Sequence, residues 1–168
     1  GGWIAIVDNE KLRSSILRAK GFREIIERHN RMHDDGRMNI VGSRNGGTTR
    51  EGGLKAGLYL ARSCPELNGI FAINDPSALG VRAGLDRAGR EDVIVVGFDG
   101  SIPGRKAVLK GRLYATPVQH PRQLGREAIR AVGRHLRGEA LPAEMLIPTA
   151  LYRRADAERD PLLKRGWF

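Results

Sequence analysis

The sequence predicts an α/β domain built on a mostly parallel, doubly wound sheet. Short β-branched runs alternate with longer segments of helical period along most of the chain. The strand-like runs are continuously apolar, as strands covered on both faces are. Glycine, 22 of 168 residues, gathers where one pattern gives way to the other.

In chain order the expected strands are 3–7 (WIAIV), 38–42 (MNIVG), 69–73 (GIFAI), 92–97 (DVIVVG), 112–118 (RLYATPV) and 144–149 (EMLIPT). Helices are expected near 11–29, 49–63, 76–88, 103–110 and 121–137. Thr48 or Thr49 can cap the second helix, and Asn74-Asp75 supply the preferred start of the third. In the last helix Leu124, Ala128, Val132 and Leu136, with Ile129, share one face. Arg122, Arg126, Arg130 and Arg134 lie opposite, so the apolar face needs a surface to lie on. The residues after Arg153 lose periodicity and are expected to form a charged surface tail, 153–168.

Composition narrows the function. No apolar run is long enough to span a bilayer, so no membrane insertion is expected. The lone Cys64 excludes an internal disulfide and a multi-thiolate metal site. The formal charge is +10, but 23 of the 29 basic residues are arginines scattered from Arg13 to Arg165. No aromatics interleave with them as a nucleic-acid stacking platform requires, so no nucleic acid is expected. The opening residues run straight into a strand, with no basic and apolar leader of the export type.

Ligands of open α/β sheets sit beyond the carboxyl ends of the strands. Asp8, Asn74-Asp75, Asp99 and Gln119 fall at four such ends, a polar crest suited to a hydroxyl-rich ligand. The loop Gly42–Thr49 has the glycine spacing of a phosphate-binding loop, but Thr48 stands where its lysine would be. His29 and His33, ahead of Asp34-Asp35, have metal-ligand spacing on a polar helix end; His120 and His135 have no acidic neighbour. No nucleophile elbow occurs, and Cys64 beside Pro65 reads as an inert thiol. Asp8, Asp75 and Asp99 could instead converge on Mg²⁺, as in phosphatase-like or phospho-acceptor domains. No resident metal or cofactor is assigned on the preferred reading.

The runs Ile70–Gly80 (IFAINDPSALG), Gly89–Val93, Val96–Gly100 (VGFDG) and Leu113–Pro121 (LYATPVQHP), with Gly125 and the Arg18-x-x-Gly21-Phe22 step, carry a resemblance. Together they resemble the C-terminal half of ribose-type sugar-binding proteins, the receptors of bacterial ABC transporters. The resemblance covers residues 3 to about 152. The lactose-repressor family shares that fold, but Lys106–Thr116 is more similar to the transport receptors. The effector core of a sugar-responsive regulator is the first alternative; it would need a DNA-binding helix-turn-helix.

The resemblance implies one lobe, 1–152, of a two-lobed clamshell, with Asn74, Asp99 and Gln119 hydrogen-bonding sugar hydroxyls. It implies Asp75 as a loop brace and Arg18 as a supporting arginine. The family's sugar-clamping arginine falls on Ile16, which leaves Arg13 as the nearest substitute, and a sugar-contacting aromatic falls near Thr48. Helix 121–137 would belong to the other lobe, so it is expected to find that lobe, or a second copy, as its partner. A permease partner and a periplasmic or cell-surface location are further implications.

Overall fold

The computed structural model describes residues 1–164. Strands β1 (Gly2–Asp8), β2 (Met38–Asn45), β3 (Leu67–Ala72) and β4 (Ile94–Val96) form a parallel sheet in the order β2-β1-β3-β4. Between them run helices α1 (Arg13–Met32), α2 (Arg50–Ser63) and α3 (Asp75–Arg87), followed by α4 (Ile102–Leu109). The two-residue strand period decides which side chains face which layer. Ala5, Val7, Ile70, Ala72, Val93 and Val95 point into the larger core, which α2, α3 and α4 cover. Ile6, Phe71 and Ile73 point the other way, toward Ala19 and Phe22 of α1. Phe22 stacks on Phe71 with ring centroids 4.6 Å apart.

Helices α2 and α3 approach closely because glycine lines their contact. A Cβ on Gly53 or Gly80 would run into the backbone at Ser77 or Arg50 of the facing helix.

The stretch expected as a strand over 112–118 follows β4 for most of its length. Tyr114 N donates to Val95 O, Gly97 N to Ala115 O and Asp99 N to Pro117 O. Only Thr116–Val118 forms a regular strand, β5, and it pairs antiparallel with β6 (Ala150–Tyr152). The last strand therefore lies after the expected 144–149 segment. That segment has exposed Met145 and Leu146 and no strand beside it to complete a ladder.

The region expected as a tail is folded over 154–164. It forms α6 (Arg154–Arg159) and α7 (Pro161–Lys164) against α4, with Ala157 buried. Asp160 accepts from Tyr152 OH at 2.8 Å and from Arg105 at 3.0 Å, so buried charge and aromatic packing hold a segment that lacks hydrophobic period. The expected tail residues 165–168 lie outside the described residues.

Helix α5 (Pro121–Leu136) has no buried residue. Leu124, Ile129, Val132 and Leu136 are all exposed, so its apolar face has no cover among the described residues.

Candidate functional site

The crest is organised around Asp99, at the carboxyl end of β4. Its backbone has φ +117°, a conformation L residues rarely adopt, and is held by Asp99 N donating to Pro117 O at 2.9 Å. Arg18, from the second turn of α1, crosses the sheet edge to reach it. One guanidinium nitrogen donates to Ile73 O at 2.6 Å and to Asp99 Oδ1 at 3.1 Å. The same guanidinium lies 4.1 Å above the Phe98 ring. Gln119, leaving β5, donates from Nε2 to the same Asp99 oxygen.

Burial pushes the Asp99 carboxyl above its usual range, against the opposing pull of Arg18, Gln119 and the Asp75 backbone N–H at the start of α3. Its side chain stays 28% exposed, leaving the carboxylate open to a donor from outside. The ends of β3, β4 and β5 thus meet at one carboxylate.

Asn74 has a second duty. Its Oδ1 accepts from Ser77 N and caps α3, while Nδ2 donates to Thr48 O, both at 3.0 Å. Each amide atom keeps spare capacity, since Oδ1 can accept twice and Nδ2 carries a second hydrogen. Thr48 sits at φ +60° and turns its hydroxyl to Gly47 O at 2.6 Å, so its carbonyl is the group that bears on Asn74. The glycine loop around it caps the start of α2. Asn45 Oδ1 accepts from Gly47 N, and Thr49 caps α2 through Gly52 N.

Asp75 is fully buried below the crest. It accepts from Ser101 N at 2.8 Å, Ser101 Oγ at 2.7 Å and Thr116 Oγ1 at 2.7 Å. Burial raises its pKa in spite of those bonds. Ser101 is also the N-cap of α4, so Asp75 fixes the loop that presents Asp99. Thr116 donates to Asp75 and accepts from Gly100 N at 3.1 Å, a relay that its place in the strand pattern does not reveal.

Arg13 stands apart from this cluster. It is exposed on the first turn of α1, and its side chain makes no hydrogen bond or ion pair among the described residues. The arginine that reaches the crest is Arg18. Asp8 is turned to Ser43, whose Oγ donates to it at 2.5 Å. Among the described residues no group of three or more His, Cys, Asp or Glu side chains could hold a metal. Asp8, Asp75 and Asp99 therefore do not form the Mg²⁺ cluster weighed above, because each faces a different protein partner. His29 and His33 place their rings 4.6 Å apart without a third ligating side chain.

Beside Asp99 and Gln119 the crest opens into a cleft of about 950 Å³, bounded by Arg105, His120, Arg122 and Arg126. Arg105 was not singled out from the sequence. It donates to Gly100 O at 2.7 Å and pairs with Asp160, joining the crest loop to the junction of α6 and α7.

A family model for the periplasmic binding protein domain matches residues 1–140, and the chain belongs to that family. The ribose import binding protein of Salmonella typhimurium is 35% identical over 127 residues, 76% of this chain and 40% of that protein. A D-apiose import binding protein from Paraburkholderia graminis is 28% identical over 159 residues, 94% of this chain and 49% of its own. A periplasmic solute binding protein structure from Actinobacillus succinogenes, with bound D-allose, superposes with TM-score 0.84 at 22% identity. It covers 95% of this chain and 54% of that one. The chain spans about half the length, or less, of the curated relatives it matches. No described helix is long and apolar enough to cross a membrane.

Proposed function

We propose that this lobe binds a monosaccharide or polyol at the crest, as part of the substrate-binding component of an ABC sugar transporter. Asp99 carries the reading: its carboxylate is fixed by Arg18 and Gln119 on one oxygen yet remains partly open. A pre-set acceptor beside amide groups suits vicinal hydroxyls, and a ligand that leaves those groups unmatched is penalised. Asn74 and Gln119 supply the flanking amide contacts, with Arg18 and Asp75 holding the geometry behind them. The import-binding names of the relatives and the D-allose in the superposed structure support the same ligand class.

The ligand is closed over by a second lobe, which α5 joins, and a permease receives the loaded receptor in the periplasm or at the cell surface. One lobe alone desolvates only one side of the sugar, so its own affinity is weak. A panel of pentoses, hexoses and polyols tests the reading by thermal shift. A selective rise in the melting midpoint that Asp99→Asn removes supports it, because a ligand that binds only the folded chain stabilises it. A panel without effect on the parent chain counts against the isolated lobe as a sugar binder.

A further inference from the structure

Asp99 and Gly100 both hold left-handed backbone, at φ +117° and +66°. Such geometry persists only where its surroundings over-determine it. Asp99 N donates to Pro117 O, Gly100 N to Thr116 Oγ1 and Ser101 N to Asp75, while Gly100 O accepts from Arg105 Nε at 2.7 Å. The first three partners lie in β5 and at the start of α3. Arg105 differs from them, because its own orientation is set from outside the sheet.

Arg105 follows Gly104, where a Cβ would run into the Asp75 carboxylate, so the first turn of α4 is seated directly on Asp75. From there the guanidinium reaches two ways. Nε donates to Gly100 O, and Nη1 donates to Asp160 Oδ2 at 3.0 Å. Asp160 also accepts from Tyr152 OH at 2.8 Å and from Leu162 N at 2.9 Å, and the Tyr152 ring lies 5.0 Å from the guanidinium. The side chains of Arg105 and Asp160 are only 18% and 7% exposed, so water competes little with the pair. A guanidinium that served only to fasten a carboxylate would commonly do so with two parallel donors. Here the donors are divided between Asp160 and the crest loop, which makes Arg105 a bridge.

We propose that Arg105 is a positioning residue for the Asp99 carboxylate and that Asp160 and Tyr152 hold it in that role. Docking of 152–160 and occupation of the crest are then coupled. The ligand side of this coupling rests on the sugar reading; the crest side needs no ligand.

Nitrogen-15 NMR on the ligand-free chain tests the crest side. Asp160→Asn should shift the side-chain amide of Gln119 and the backbone signals of Asp99 and Gly100, with the core of α2 and α3 unmoved. Gln119 is the discriminating signal, because its bond is to Asp99. Arg105→Lys should act alike, since an ammonium lacks the rigid fork that serves both partners, and it replaces Asp160→Asn should that variant fail to fold. Sugar titration reads the other side. Both variants should bind about fivefold more weakly or worse, and saturating sugar should slow amide exchange across 154–163 in the parent, because coupling is reciprocal. Shifts confined to 150–164 and Arg105, with Gln119 and Asp99 unmoved, overturn the proposal, as does parent-like sugar affinity in both variants. Should no sugar bind the parent, the sugar reading fails, and the ligand-free shifts alone decide whether Arg105 positions Asp99.

Discussion

Arg18 holds Asp99 Oδ1 at 3.1 Å with the same nitrogen that donates to Ile73 O at 2.6 Å. One guanidinium therefore ties the end of β3 to the end of β4, and the candidate ligand carboxylate is oriented by a helix on the sheet's other side. Shape at the crest depends on this bridge as much as on the ligand-facing groups themselves.

Removing the bridge should change binding before it changes folding. Arg18→Met keeps an unbranched apolar stem but removes the guanidinium that lies over Phe98 and donates to Ile73 and Asp99. Loss of a hydrogen-bonded partner at a half-buried charge costs about 1–3 kcal/mol. Calorimetric titration should show sugar affinity reduced by about tenfold or more, with a cooperative thermal transition retained. Unchanged affinity would show that Asp99 needs no such orientation.

Asp75→Asn should destabilise the chain by about 1–3 kcal/mol, because an amide cannot accept all three bonds the carboxylate now takes. Denaturant melts measure this directly. A pH series adds a second check. The folded pKa is raised by burial, so the folded state holds the proton more tightly than the unfolded chain. This group therefore favours folding at acid pH and does so less as pH rises past the ordinary carboxylate range. The stability difference between parent and Asp75→Asn should shift with pH across that range.

Asp160 titrates with the opposite sign. Burial raises its pKa, but the bonds from Tyr152, Leu162 N and Arg105 outweigh it and hold the carboxyl below the usual value. Its contribution is present above the ordinary carboxylate range and fades as pH falls through the lowered one. Corrected for the slower intrinsic exchange in acid, amide hydrogen exchange across 154–163 should quicken as pH falls ahead of exchange in β1 and β3. Asp160→Asn should show that faster exchange already at neutral pH.

Asn74→Ala should weaken more than ligand binding. The residue caps α3, and loss of a cap costs about 0.5–2 kcal/mol. Asn74→Asp keeps the acceptor for Ser77 N but loses the donor to Thr48 O. A thermal melt in which Asn74→Ala is depressed and Asn74→Asp is closer to the parent separates capping from ligand contact.

The parallel sheet was legible because β1, β3 and β4 are apolar on both faces, a pattern that few other structures require. Asp99 and Gln119 were legible as strand-end polar residues, and the structure joins them directly, Gln119 Nε2 donating to Asp99 Oδ1. What escaped the sequence depends on distant partners. Thr116 looks like an ordinary strand residue until Asp75 lies beneath it, and Arg105 is one arginine among many until Asp160 returns to it. The helices after Arg153 escaped for the same reason, because a buried ion pair and Tyr152 hold them without a periodic apolar face. Arg13 and Arg18 could not be ranked from spacing alone. The direction in which each side chain leaves α1 decides between them.

Nitrogen-15 labelled chain titrated with each sugar, and followed by amide and side-chain NMR shifts, tests the central claim most directly. One sugar class should move the backbone signals of Asp99 and Gly100 and the side-chain amides of Gln119 and Asn74 together, with the core of α2 and α3 unmoved. Saturating sugar that leaves those signals in place, or that moves only signals far from the strand ends, would contradict a ligand site at this crest.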